Sequence, residues 1–161
     1  MEIFRPGPEH IPALQQLARS TWEATYSSII SREQIDYMLN LFYDADLMRE
    51  QMADPAQLFF AAREEDTLLG YAHLHPAGTI YKLSKLYVYP QQHKGGVGKT
   101  LLQHAEEVLR ALGISRLTLN VNRNNPALGF YERMGFRITE TVDIALGPYW
   151  LNDYVMEKDL G

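Results

Sequence analysis

Between Ile80 and Leu112 a β-branched and aromatic run, a glycine-rich turn and a strongly amphipathic helical pattern follow one another without interruption. Ile80 to Tyr89 has the composition of a strand, and Pro90 closes it. Gln91-Gln92-His93-Lys94-Gly95-Gly96-Val97-Gly98-Lys99-Thr100 then leads into apolar positions at Val97, Leu101, Leu102, Ala105, Val108, Leu109 and Leu112, one helical stripe that Gly113 ends. A strand that enters a helix through glycines makes an anion site. The first N–H groups of the helix have no intrahelical partner, and the helix dipole adds positive potential there. Gly95, Gly96 and Gly98 let a phosphate approach the backbone, and Lys94 and Lys99 add charge.

Two familiar phosphate motifs do not fit. A P-loop ending at Gly98-Lys99-Thr100 needs a glycine five residues before Gly98, where His93 stands. A dinucleotide fingerprint starting at Gly96 needs a glycine or alanine where Leu101 stands. The phosphate therefore belongs to another kind of ligand.

The rest of the chain supplies the frame. Ile3 to Arg5 reads as a short strand stopped by Pro6-Gly7-Pro8. Ile11, Leu14, Leu17, Ala18, Thr21 and Trp22 form one helical stripe. Ser31 and Gln34 have capping-box spacing and open a second helix through Ile35, Met38 and Leu39. A third helix spans about Asp44 to Met52. Leu58 to Arg63 and Leu69 to His75 flank the polar turn Glu64-Glu65-Asp66-Thr67, as in an antiparallel hairpin that breaks at Pro76-Ala77-Gly78. Ser115 to Val121 reads as a strand. Asn125-Pro126 caps a helix through Ala127, Leu128, Phe130, Tyr131 and Met134, which Gly135 ends. Phe136 to Thr139 and Asp153 to Glu157 read as closing strands. The plan is α+β around a mixed sheet, one domain over residues 1–161.

Composition narrows the chemistry. Fifteen Lys+Arg against 20 Asp+Glu give a net charge of −5, which argues against a nucleic-acid partner. There is no cysteine, so disulfides, thiolate–zinc sites and a cysteine nucleophile are excluded. Gly113-Ile114-Ser115-Arg116-Leu117 lacks the second glycine of a nucleophilic serine elbow. The N-terminus lacks the features of a signal peptide, and the apolar runs are too short to span a bilayer, so no membrane partner and a cytoplasmic setting are expected.

Two blocks carry a resemblance. Leu86-Tyr87-Val88-Tyr89-Pro90 with Gly96-Val97-Gly98-Lys99-Thr100-Leu101-Leu102 resembles the acetyl-CoA-binding segment of the GCN5-related N-acetyltransferase (GNAT) superfamily. Asn124-Asn125-Pro126-Ala127-Leu128-Gly129-Phe130-Tyr131-Glu132-Arg133-Met134-Gly135-Phe136 matches that family's second block, and the resemblance covers the whole chain. It implies a mixed, mostly antiparallel central sheet flanked by helices, with a splayed parallel strand pair at the cofactor site. It implies acetyl-CoA as co-substrate and direct acetyl transfer to an amine. The pyrophosphate would dock on His93, Lys94, Gly95, Gly96, Val97, Gly98, Lys99 and Thr100. Leu86, Tyr87 and Val88 would pair with the pantetheine arm like an added strand, and a main-chain N–H near Leu86 or Val88 would hold the oxyanion. Asn124, Ala127, Tyr131 and Arg133 would contact the cofactor. His93 departs from the Gln or Arg usual at its position, which makes cofactor binding weaker or pH-dependent.

The resemblance makes Tyr131 the general acid, donating to the thiolate that leaves. An alkyl amine titrates near about 10.4 and must lose a proton before it attacks. The strand from Lys82 to Tyr87 lacks the glutamate that the family often uses, and His73 and His75, two apart on one strand face, are candidate bases. They are also candidates for purely structural roles, and no third ligand accompanies them for a metal. Trp22, Tyr26, Tyr37 and Tyr43 with Glu33, Asp36, Asp44 and Asp46 offer rings and carboxylates that suit an ammonium acceptor. The segment Trp22 to Leu39, Lys85-Leu86-Tyr87-Val88 and Asp153-Tyr154-Val155-Met156-Glu157-Lys158 resemble a polyamine-acetylating (PaiA-like) branch. The expected partner is thus a small-molecule amine. Many family members dimerise, so a homodimer is one form open to the chain. The competing reading is an acyl-CoA-binding sensor or regulator without turnover.

Overall fold

The computed structural model describes the backbone of residues 1–161 and all side chains except those of His93 and Lys94. Strand β1 is Glu2–Phe4; helices α1 (Ile11–Tyr26), α2 (Arg32–Phe42) and α3 (Ala45–Ala53) follow. Strands β2 (Leu58–Glu64), β3 (Thr67–Ala77) and β4 (Ile80–Val88) form a meander, and a short 3-10 turn over Pro90–Gly95 leads into α4 (Val97–Ala111). Then come β5 (Arg116–Asn122), α5 (Ala127–Arg133), β6 (Arg137–Leu146) and β7 (Tyr149–Asp159).

Local chemistry sets the boundaries. Ser31 Oγ accepts from Gln34 N at 3.1 Å and Asp44 Oδ2 from Leu47 N at 3.0 Å, so α2 and α3 each start at a capping side chain. The β6–β7 hairpin turns at Gly147, whose φ of 57° and the Tyr37 hydroxyl against its Cα leave no place for a side chain.

The seven strands lie in the order β1-β2-β3-β4-β5-β7-β6. Neighbours are antiparallel except β4 and β5, which run parallel and are joined by the α4 crossover. This is the mixed, mostly antiparallel sheet that the sequence implies. One face packs on α4, where Leu101, Leu102, Ala105 and Leu109 bury completely against Phe60, Leu74, Leu83, Leu117 and Met156. Each such leucine contributes roughly 1.5–3 kcal/mol by leaving water. The other face packs on α1–α3, with Leu14, Leu17, Ile35, Met38 and Met48 against Phe59, Ala61 and Tyr71. Three elements outrun their sequence patterns, β7 among them, which runs from Tyr149 to Asp159 and not only from Asp153 to Glu157. β3 continues through Pro76 to Ala77 because β4 pairs with it to the hairpin end, and β6 extends to Leu146 because β7 lies beside it throughout.

Candidate active site

A cleft of about 680 Å³ opens where β4 parts from β5. The cause is visible in the register. His73 faces Lys85 and Leu74 faces Leu83, so Ser84 is the extra residue of a β-bulge. The parallel ladder between β4 and β5 spans Tyr81–Leu83 against Leu117–Leu119 and stops where the bulge begins. Leu83 to Val88 then line one wall of the cleft and Leu119 to Val121 the other. The Ser84 hydroxyl is buried there without a hydrogen-bond partner.

The floor is the start of α4. Gly96 adopts φ 73°, a left-handed conformation that favours glycine, and turns the chain into the helix. Gly96, Gly98 and Lys99 line the cleft, and Thr100 Oγ1 closes the turn on the Gly96 carbonyl at 2.9 Å. A Cβ on Gly98 would meet Phe130 and Val88 only at ordinary contact distance, 3.6 Å. The glycine at 98 is thus not demanded by its protein neighbours.

Helix α5 supplies the far wall. Ala127 N donates to Asn125 Oδ1 at 2.9 Å, which starts the helix and sets Ala127, Phe130 and Tyr131 toward the cleft. The Tyr131 ring stands edge-on between Phe130 (5.3 Å) and Phe136 (5.7 Å). Burial first, and then the nearby Tyr87, push its phenol well above the ordinary tyrosine value. The last turn of α1 completes the enclosure. Asn125 Nδ2 donates to the Tyr26 hydroxyl at 3.0 Å, tying α1 to the loop before α5 across the cleft. Trp22 Nε1 donates to Tyr87 OH at 3.2 Å.

The chain that carries these features matches known proteins. The Acetyltransferase (GNAT) family model matches residues 11–136. The chain belongs to the GNAT acetyltransferase family. It is 30% identical to the spermidine N(1)-acetyltransferase of Thermoplasma acidophilum, over 98% of this chain and 96% of that one. It is 33% identical to a peptidyl-lysine N-acetyltransferase of Salmonella typhimurium, over 71% and 75% respectively. The crystal structure of the Thermoplasma acidophilum PaiA N-acetyltransferase in complex with coenzyme A superposes with a TM-score of 0.88 at 29% identity, covering 98% of both chains. The protein is an acyl-CoA-dependent N-acetyltransferase of the PaiA-like branch, with acetyl-CoA as co-substrate.

The cleft of this acetyltransferase suits that co-substrate. Beyond Leu83 the ladder between β4 and β5 ends, and the left-handed Gly96 sets the α4 N-terminus at the cleft, where a pyrophosphate would find unpaired helix N–H groups. Of the residues singled out in the sequence, Leu86, Tyr87, Val88, Gly96, Gly98, Lys99, Ala127, Tyr131 and Arg133 line the cleft. Val97 points into the core, and Gly95, Thr100 and Asn124 lie outside the lining, with Asn125 in the wall next to Asn124. The side chains of His93 and Lys94 lie outside the described residues.

Neither histidine reaches the cleft. His73 is buried flat against Phe59 at 4.1 Å, with Nε2 2.7 Å from Gln57 Oε1. Burial, then Lys85 and His75, lower its pKa to about 3, so it is a neutral core residue. His75 Nδ1 sits 3.0 Å from the Pro76 carbonyl. Three of the four N-terminal carboxylates singled out in the sequence, all but Glu33, are spoken for as well. Asp36 pairs with Arg19 at 3.3 Å, Asp46 with Arg49 at 2.6 Å, and Asp44 caps α3. The Tyr43 ring already carries a cation, the Lys85 ammonium at 4.0 Å, which also donates to the Phe42 carbonyl at 2.9 Å. Burial lowers the Lys85 pKa to about 7.

Sequence reasoning passed over two features, the Ser84 bulge and Asp153. Asp153 is on β7, 8% exposed, and burial raises its carboxyl above the ordinary aspartate value against the opposing pull of Asn120, Lys82 and Arg123. A charged residue in the middle of a strand otherwise rich in apolar and aromatic side chains was the available signal.

Proposed function

We propose that this protein transfers the acetyl group of acetyl-CoA directly to a primary alkyl amine, a polyamine in the first place, with Tyr131 as general acid. Residues 1–161 work as one acetyltransferase domain, and the net charge of −5 fits a cytoplasmic enzyme with a cationic small-molecule acceptor and no nucleic-acid partner. The observation that carries the reading is the place of Tyr131, on α5 across the cleft from the splayed end of β4 and in the same cleft as the start of α4.

Acetyl-CoA supplies an activated thioester. The α4 N-terminus and Lys99 bind its phosphates, and the β4 backbone aligns its arm. A main-chain N–H near Leu86 stabilises the developing oxyanion. Tyr131 holds its proton at neutral pH, since burial raises its pKa, and gives it to the sulfur as negative charge develops there. Similarity to a spermidine acetyltransferase and to a peptidyl-lysine acetyltransferase supports a flexible alkyl amine as acceptor.

The test follows free thiol release from acetyl-CoA against a panel of amines that includes polyamines. The chain has no cysteine and adds no thiol of its own. Tyr131→Phe is expected to lower kcat about 100-fold or more while coenzyme A affinity stays within about twofold. Unchanged kcat removes Tyr131 from the acid role. No thiol with any acceptor at saturating co-substrate replaces the enzyme by the acyl-CoA sensor.

A further inference from the structure

Asp153 is the buried carboxylate that, among the described residues, the α1–α3 side of the sheet leaves without an ion pair, Lys82 and Arg123 acting on it only from a distance. Its register partner on β5 is Asn122, so its side chain shares a face with Asn122 and, one step along, with Asn120. Lys82 of β4 pairs with Thr118 and lies on the same face. Asn120 lines the cleft, and its side chain favours the charged form of Asp153. Tyr26, also in the lining, is close enough to feel the Asp153 charge.

Buried carboxylates in proteins are paired or bind a cation. Among the described residues Asp153 makes no ion pair. Arg123, the neighbouring guanidinium, spends its Nη2 on Asp143 at 2.8 Å and on the Val142 carbonyl at 2.7 Å, and only its Nε reaches Asp153, at the main-chain oxygen (3.4 Å). No group of His, Cys, Asp or Glu among the described residues is placed to hold a metal ion. The contrast with the other side of the sheet is direct: there the buried Glu106 has Lys158 at 2.8 Å.

We infer that Asp153 receives the ammonium of the acceptor at the β5 side of the cleft and takes its proton. This rests on the acetyl-transfer reading above. In the step, Asp153 accepts one proton from the ammonium, and the neutral nitrogen forms its bond to the acetyl carbon. The carbon–sulfur bond breaks, and the sulfur leaves with the Tyr131 proton. The second nitrogen proton returns to Tyr131, and Asp153 releases its proton to water. The products are the amide, the thiol and one free proton. The Tyr26 and Asn120 side chains set the rim of this seat, and the acceptor it selects is a cationic alkyl amine.

The experiment measures spermidine binding by calorimetry in the presence of coenzyme A, alongside turnover, for the full chain and for Asp153→Asn. The expected result is at least tenfold weaker spermidine binding and about 100-fold lower kcat/KM for spermidine in the variant, with coenzyme A affinity unchanged. Turnover of an alkoxyamine, uncharged at neutral pH, falls far less, which a merely structural role for Asp153 does not produce. Spermidine binding and kcat/KM within twofold of the unmodified chain overturn the inference. Spermidine binding that depends on Asp153 without thiol release overturns the acetyl-transfer reading and leaves the ammonium seat standing. Should the variant lose coenzyme A binding through misfolding, the unmodified chain decides. Its spermidine affinity is expected to fall with pH at a point above the ordinary aspartate range, and affinity constant from pH 8 to pH 4 overturns the seat. The charged and titratable groups facing Asp153 are Lys82 from β4, Arg123 from the end of β5 and Tyr26 from α1.

Discussion

Under α4 the sheet buries the Glu106 carboxylate and satisfies it, with its two oxygens at 2.8 and 3.0 Å from Nζ of the half-buried Lys158. Under α1–α3 the same sheet buries the Thr21, Tyr43 and Tyr71 hydroxyls and the His73 Nδ1 without hydrogen-bond partners, together with Lys85 and Asp153. The first face is a packed wall of Leu101, Leu102, Ala105 and Leu109. The second tolerates polar groups that cost stability; Thr21 and Lys85 line the cleft, and Tyr43, Tyr71, His73 and Asp153 lie outside its lining. Unpaired buried polar atoms are expensive wherever they occur. Their concentration on one face marks the side where the fold tolerates unsatisfied groups, and their scarcity on the other marks the side that holds the fold together.

Three measurements put that contrast at risk. The largest effect belongs to the satisfied face. Lys158→Ala leaves the buried Glu106 carboxylate without its partner and is expected to lower stability to urea by about 3–5 kcal/mol, with coenzyme A affinity unchanged at temperatures where the variant is folded. A loss under about 1 kcal/mol would make the pair a surface contact in effect. Next comes the pH response of the α1–α3 face. His73 titrates at about 3 in the folded chain against its usual 6.5, so the unfolded chain binds the extra proton between those values. Stability is full above pH 6.5 and is lost as pH falls toward 3, by up to about 1.4 kcal/mol per pH unit. His73→Leu is expected to flatten that limb, and an unaltered slope would mean that His73 is protonated in the fold. The smallest effect is at Thr21. Removing its unpartnered hydroxyl in Thr21→Val is expected to raise stability by up to about 1 kcal/mol. A clear loss instead would show that this hydroxyl has a partner after all.

The parts legible in the sequence were those that local chemistry decides. Ser31 caps α2 where its spacing to Gln34 says it should, Gly96 turns the chain into α4, and Tyr131 faces the cleft because Ala127, Phe130 and Tyr131 share one side of a short helix. The parts missed depend on partners far along the chain. The Ser84 bulge exists only in the register against β3. Asp153 is buried only because β5 and β6 flank it on both edges. The length of β6 was hidden for a related reason. It is the outermost strand, exposed along most of its length, so it carries no alternating apolar pattern. The aromatic and acidic residues of α1–α3 were legible as a set but not by role, since pairing with Lys85, Arg19 and Arg49 becomes visible only when the helices meet the sheet or one another.

The short ladder between β4 and β5 has a mechanical side. Three residue pairs join the two strands, against nine between β6 and β7. The sheet is in effect two plates, β1–β4 and β5–β7, meeting along a narrow seam and strapped by α4 on one face and by the Tyr26–Asn125 contact on the other. A molecule laid into the seam touches both plates and adds to their cohesion, because it binds the assembled form and not the separated one. A co-substrate laid there would then also be a fastener, adding to the cohesion of the two plates as its concentration rises.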